Sequence, residues 1–195
     1  SKDPPAKALT SCNTLIAKGD HWDLTSTDGE GFCAGLGEIG QALTDFSAII
    51  CLGYGGAAKA LIEKAQSTVP TTPIYVLKRS PENNRTNNGV TFLPFEPEAF
   101  EALLKGFPKA LVIQCTSAPL RGDNLERFSL AGLKGGFVDL VYGTPSALLK
   151  QAESLHIPCQ DGIPMLIYQA LLAQKLWWGQ AASFSDMKAV IMRQR

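Results

Sequence analysis

Five apolar residues, Ala48-Ile49-Ile50-Cys51-Leu52, run directly into Gly53-Tyr54-Gly55-Gly56-Ala57-Ala58. An apolar run of that length suits a buried strand, and residues 57–65 have the composition of a helix. The glycines therefore read as G-x-G-x-x-A in the context that gives the pattern meaning, directly after a strand and opening a helix. Gly53 permits a tight turn, Gly55 lets the backbone approach a pyrophosphate, and Ala58 allows close helix–strand packing. The free N–H groups that open the helix, at Gly56 and Ala57, favour anionic phosphates. A dinucleotide is the expected ligand, although an ordinary glycine turn would carry the same letters.

Strand and helix signals continue to alternate downstream. Ile74–Leu77, Val90–Leu93, Ala110–Cys115 and Phe137–Tyr142 read as strands, with residues 80–89 as a loop. Pro97 opens a helix whose Phe100, Leu103, Leu104 and Phe107 recur at helical spacing. Thr144 as cap and Pro145 as first residue open another. Pro164 starts an apolar helix over residues 163–178 that Gly179 ends, and Ser185 caps a terminal helix. Strands separated by helices imply βαβ crossovers, and hence an α/β Rossmann-like, doubly wound parallel sheet covered on both faces. Residues 1–45 differ. Residues 13–17 and 22–25 read as short strands, and Phe32, Leu36 and Ile39 mark a helix from about Gly31 to Gly40. Two such strands make no stable sheet alone, so a preceding segment is expected.

Composition removes several alternatives. Eighteen Lys and Arg balance 18 Asp and Glu, and charged residues are only 18% of the chain, which gives little drive toward nucleic acid or anionic membrane. No apolar run is long enough to span a bilayer. The five cysteines are odd in number and lack a C-x-x-C pair, so neither a metal site nor a disulfide framework is signalled, and a cytoplasmic setting is expected. His21 and His156 have no partner at motif spacing and read as structural or surface residues.

The second strand ends in Lys78-Arg79-Ser80, where an NAD-binding unit normally carries Asp or Glu for the ribose hydroxyls. A carboxylate there would repel the 2′-phosphate of NADP, whereas a guanidinium engages it through paired charge-assisted bonds. NADP is thus the expected cofactor, with Arg79 on the 2′-phosphate, Ser80 donating a hydroxyl, and Lys78 and Arg85 reinforcing the patch. A solvated basic loop is the plain alternative.

The motifs C-N-T (Cys12–Thr14), S-T-D-G-E-G-F (Ser26–Phe32), G-Y-G-G-A-A-K-A (Gly53–Ala60), K-R-S (Lys78–Ser80), C-T-S (Cys115–Ser117), D-L-V-Y (Asp139–Tyr142) and D-G-I-P-M-L-I-Y-Q (Asp161–Gln169) come in this order. Over residues 8–180 the chain resembles shikimate dehydrogenase. The resemblance implies NADPH-dependent reduction of 3-dehydroshikimate to shikimate in aromatic amino acid biosynthesis. It implies Asp28 as the catalytic aspartate, Asn13, Tyr142 and Gln169 at the substrate, and Thr116, Ser117, Gly162 and Met165 beside the cofactor. Taken without it, Asp28 reads equally as a helix cap, Asn13 as a turn residue and Gln169 as a polar position on an amphipathic helix.

The chain departs from the family pattern in several places. Gln114-Cys115-Thr116-Ser117-Ala118-Pro119-Leu120 replaces the family's Asn, Gly and Met in N-x-T-S-x-G-M, the stretch from Gly143 is one residue shorter, and Ser26 stands for an Asn. The family's catalytic lysine in V-T-x-P-x-K and its S-x-S motif belong to an N-terminal substrate-binding domain expected in the full protein. The implied division is 1–29 as the end of that domain, 30–180 as the NADP-binding domain and 181–195 as a terminal helix. A stand-alone NADP-binding module without turnover and a quinate-reducing enzyme of the same fold are the competing functions.

Overall fold

The computed structural model describes residues 11–80, 86–143 and 145–193. β1 (Thr14–Lys18) and β2 (His21–Thr25) form an antiparallel hairpin. Its two-residue turn is admitted by Gly19 at φ +69°. One hairpin face carries the cross-strand pairs Leu15–Leu24 and Ala17–Trp22, and Leu15, Trp22 and Leu24 are exposed. α1 (Asp28–Leu36) follows and runs into a 3-10 turn, Gly37–Ile39. The helix thus begins at Asp28, three residues before the expected Gly31.

The main sheet is built from β3 (Ile49–Leu52), β4 (Ile74–Lys78), β5 (Thr86–Asn87), β6 (Val90–Pro94), β7 (Leu111–Gln114), β8 (Gly136–Asp139) and β9 (Cys159–Gln160). Its order is β5-β6-β4-β3-β7-β8-β9, and every pairing is parallel except the short β5–β6 edge. β5 lies inside residues 80–89, which the sequence reads as loop. The connecting helices are α2 (Gly56–Thr68), α3 (Pro97–Gly106) and α4 (Ala147–Ser154). α5 (Ile163–Trp178) and α6 (Phe184–Arg193) end the chain.

Side chains alternate across each strand, and the two core clusters follow that alternation. Ile50, Leu52, Leu77 and Val112 pack with Phe100, Leu104 and Leu148 of α3 and α4. Ile49, Cys51, Val76 and Ile113 face the other way, onto Leu61 and Ile62 of α2 and Phe32 and Leu36 of α1. Burial on both faces explains why these strands read as continuous apolar runs. The doubly wound α/β fold expected from the sequence is present.

Three sequence expectations need correction. Ser146, not Thr144, caps α4: its Oγ accepts the Leu149 N–H at 3.1 Å, Pro145 lies outside the helix, and Thr144 falls outside the described residues. Ser183, not Ser185, accepts the Asp186 N–H at 3.1 Å at the start of α6. The strand expected over residues 137–142 stops at Asp139, because its carboxylate takes the Val141 N–H at 2.9 Å and turns the chain.

Candidate active site

The order of the parallel strands reverses at β3, with β4 on one side and β7 on the other. In open α/β sheets the crevice at such a reversal is where ligands bind. Two loops leave the sheet there. Gly53, at φ +102°, would place a Cβ 2.7 Å from the Thr116 Cγ2, so the turn after β3 and the turn after β7 touch. A side chain at that position is excluded twice, by backbone conformation and by the neighbouring loop. Gly55 caps α2 in an extended conformation, and a Cβ on Gly55 or Gly56 would meet nothing within 4 Å. Ala58 is fully buried against the sheet. The first turn of α2 contains no acidic residue, and open space lies beside Gly55 and Gly56 at the positive end of the helix. The cradle and its open approach fit a pyrophosphate.

At the end of β4, Lys78 is half-buried while Arg79 and Ser80 are exposed. Leu77 and Leu52 are in register, which brings Lys78, Arg79 and Ser80 to the same sheet edge as the glycine turn. Arg85 lies outside the described residues. Beyond β7 the Asn-to-Gln departure has a local consequence. Gln114 is fully buried, and its side chain closes the turn on itself: Oε1 accepts the Thr116 N–H at 2.5 Å and Nε2 donates to the Thr116 carbonyl at 3.0 Å. Ser117 and Leu120 are exposed.

Asp139 anchors the next strand end. Its carboxylate accepts from the Val141 N–H and the Ser146 hydroxyl, with the Gln114 amide at 3.5 Å, and Ser146 in turn caps α4. Burial pushes Asp139 above the usual carboxylate range, against the lowering effect of the Ser146 and Val141 bonds. Tyr142, just past this strand, is exposed. Gly162 precedes α5 where a Cβ would lie 2.3 Å from the Leu140 carbonyl oxygen. Met165 is buried in the α1 side of the core.

A second polar cluster draws on three separate elements. Asn13 precedes β1, Asp28 is the first residue of α1, and Gln169 lies in α5. Asn13 Nδ2 donates to Asp28 Oδ1 at 2.8 Å and reaches Gln169 Oε1 at 3.3 Å. Its amide has one orientation, because Oδ1 accepts both the Thr27 N–H at 2.9 Å and the Thr14 hydroxyl at 2.8 Å. Burial pushes the Asp28 carboxyl above its ordinary range, and the Asn13 bond opposes this. The helices that carry the cluster cross closely, since a Cβ on Gly31 would sit 2.7 Å from the Gln169 backbone nitrogen.

The hold of Thr27 and Thr14 on Asn13, and the Gln114–Asp139–Ser146 chain, have no signature in the sequence. Thr27, inside the S-T-D-G-E-G-F motif, and Ser146, beyond D-L-V-Y, are buried polar residues whose partners no spacing rule reveals. His21 lies on the exposed hairpin turn, its Nδ1 2.9 Å from Asp20 Oδ1 and its Nε2 3.8 Å from Asp23 Oδ1.

No family model matches the chain. Against individual proteins it is 32% identical over 203 residues to the shikimate dehydrogenase (NADP(+)) of Bacillus licheniformis, covering 98% of the chain and 70% of that protein. The chain belongs to the shikimate dehydrogenase family. The family protein from Rhizobium meliloti is 31% identical over 183 residues, 91% of the chain and 63% of that protein. The chain therefore spans roughly two thirds of the length of these curated relatives. Quinate dehydrogenase from Corynebacterium glutamicum, solved in complex with NAD, superposes with a TM-score of 0.78 at 21% identity, over 95% of this chain and 68% of that one. At that identity the likeness speaks for the fold. No helix among the described residues is long and apolar enough to cross a membrane.

Proposed function

We propose that this chain is the cofactor-binding portion, with part of the substrate site, of an NADP-dependent shikimate dehydrogenase that reduces 3-dehydroshikimate to shikimate. The observation that carries the reading is the meeting of Asn13, Asp28 and Gln169, from distant parts of the sequence, in one hydrogen-bonded cluster. A helix cap, a turn residue and a stray helix polar position would have no reason to meet.

Bound NADPH supplies the hydride that reaches the ketone carbon. The ketone oxygen must gain a proton as that bond forms, and Asp28, raised by burial toward the protonated form, is suited to hold and pass one. Asn13 and Gln169 offer amide donors and acceptors that fix ring hydroxyls, in place of the bonds they make to each other and to Asp28. The chain's own fit to the cofactor is the Gly53–Ala58 cradle, with Arg79 and Ser80 on the 2′-phosphate and Lys78 beside them. Thr116, Ser117, Tyr142, Gly162 and Met165 are read as the wall near the nicotinamide and its ribose. The hairpin and the start of α1 are read as the substrate side, and residues 30–180 as the nucleotide domain. Five free thiols suit a reducing, cytoplasmic setting.

Calorimetric titration tests the cofactor half of this reading. NADP should bind more tightly than NAD, and Arg79→Ala should remove most of the difference, a loss of about tenfold or more for a charge-assisted bond to phosphate. Equal affinities for the two dinucleotides in the unmodified chain would refute the assignment.

A further inference from the structure

Beside the glycine turn lies a cluster that the fingerprint does not describe. Tyr54, between Gly53 and Gly55, meets Phe92 of β6 edge to face, with centroids 5.0 Å apart and planes at 78°. Since β4 lies between β3 and β6, the Tyr54 side chain reaches from the end of β3 across the strand that carries Lys78, Arg79 and Ser80. Two ammonium groups gather on this aromatic pair. Lys78 Nζ is 4.7 Å from the Phe92 centroid and 5.9 Å from that of Tyr54. Lys59 Nζ, from the first turn of α2, is 5.4 Å from the Tyr54 centroid. Such ring faces attract cations, and so hold long flexible side chains in place.

Gathering two ammonium groups on one aromatic pair costs electrostatic free energy that a nearby anion offsets. Two like charges share one ring, and Lys59 stands at the helix end whose dipole disfavours a cation, in a turn with no acidic residue. An anion lodged beside the ring would relieve both effects. Tyr54 is itself about one-third exposed, at 37%, so a ligand can reach the cluster.

We propose that Tyr54, Lys59 and Lys78 form a second grip on the 2′-phosphate of the adenosine ribose, with Lys59 a further specificity-determining residue and Tyr54 the positioning residue that holds both ammonium groups. This rests on the NADP reading above and extends it from the strand end to the glycine turn and helix. The geometry explains why an aromatic residue occupies the middle of a turn in which a small side chain would suffice for the backbone path.

The test is titration of NADP+ and NAD+ into the chain and into Lys59→Met, Tyr54→Leu and Tyr54→Phe, with Arg79→Ala in parallel. The NADP-over-NAD affinity ratio should fall about tenfold in Lys59→Met and in Tyr54→Leu, and hold in Tyr54→Phe, which keeps the ring. Equal weakening toward both dinucleotides would overturn the proposal, because it would put the lysine on the pyrophosphate common to both. An unchanged ratio in Lys59→Met, alongside a lost preference in Arg79→Ala, would overturn it while leaving the NADP reading intact. No preference in the unmodified chain would overturn both. If circular dichroism shows Tyr54→Leu unfolded, the half-buried Lys59, as Lys59→Met, decides the matter alone.

Discussion

Asp28 is a carboxyl held partly out of water by the helix it starts and met by one neutral donor, the Asn13 amide. Desolvation outweighs that bond, so its folded-state pKa lies above its unfolded value. A raised carboxyl stabilises the fold fully below the unfolded value, near about 3.9, and that contribution is lost as pH rises through the folded value. Above that range the desolvated Asp28 carboxylate costs stability. Asp28→Asn should melt higher than the parent at pH 7, with the gap closing as pH falls below about 3.9, where the Asp28 carboxyl is protonated in the unfolded chain as well. The same substitution removes the proposed proton carrier. A variant that melts lower at pH 7, or shows a gap independent of pH, would contradict this account of the site. Asn13, Asp28 and Gln169 were legible in the sequence only through the order of family motifs, since each is an ordinary residue type for its local structure. Thr27 was not legible, because its contribution is a backbone N–H and a buried hydroxyl that reach fourteen residues back to Asn13. Lys59 and Tyr54 were hidden for a related reason: their meeting with Lys78 depends on the β3-β4-β6 order, which single-residue propensities do not encode.

At the scale of elements, apolar runs and punctuation residues located the parallel strands well. β3 and β7 are short and buried throughout, β4 is buried at Ile74, Val76 and Leu77, and β6 is buried at Val90 and half-buried beyond it, so apolar content leaves little else to form. Boundaries were less legible where a side chain ends an element. Asp139 stops β8 by taking a backbone N–H, and Ser146 starts α4 one residue after a proline that looks like a better opening. The contact of α1 with α5 was invisible in sequence, since a glycine inside a helix reads as a mere weakness. In the fold, Gly31 is where the two backbones meet. Gly31→Ala should destabilise the chain by about 1–3 kcal/mol, despite the gain in helix propensity, because the added methyl meets α5 backbone. Denaturant unfolding reads this directly, and a stabilised variant would show that the helices are farther apart than described.

For the whole molecule, two functions lie on different supports. The dinucleotide crevice is formed by the sheet and its own loops, so the 195-residue chain should bind NADP and gain thermal stability from it by mass action, about 2.7 kcal/mol at a hundredfold excess over Kd. The family's catalytic lysine belongs to a V-T-x-P-x-K segment that these residues do not contain, so the same polypeptide should show little shikimate-dependent NADP reduction in an absorbance assay. Robust turnover would place the chemistry elsewhere. The close crossing of α1 and α5 has one more implication. A slide of one helix along the other by a single turn, about 5.4 Å, would carry the Asp28 end of α1 away from Gln169 on α5. The close fit of Gly31 against the backbone of Gln169 resists that slide, so the lack of a methyl group there keeps Asp28 and Gln169, the proposed substrate-facing residues, in step.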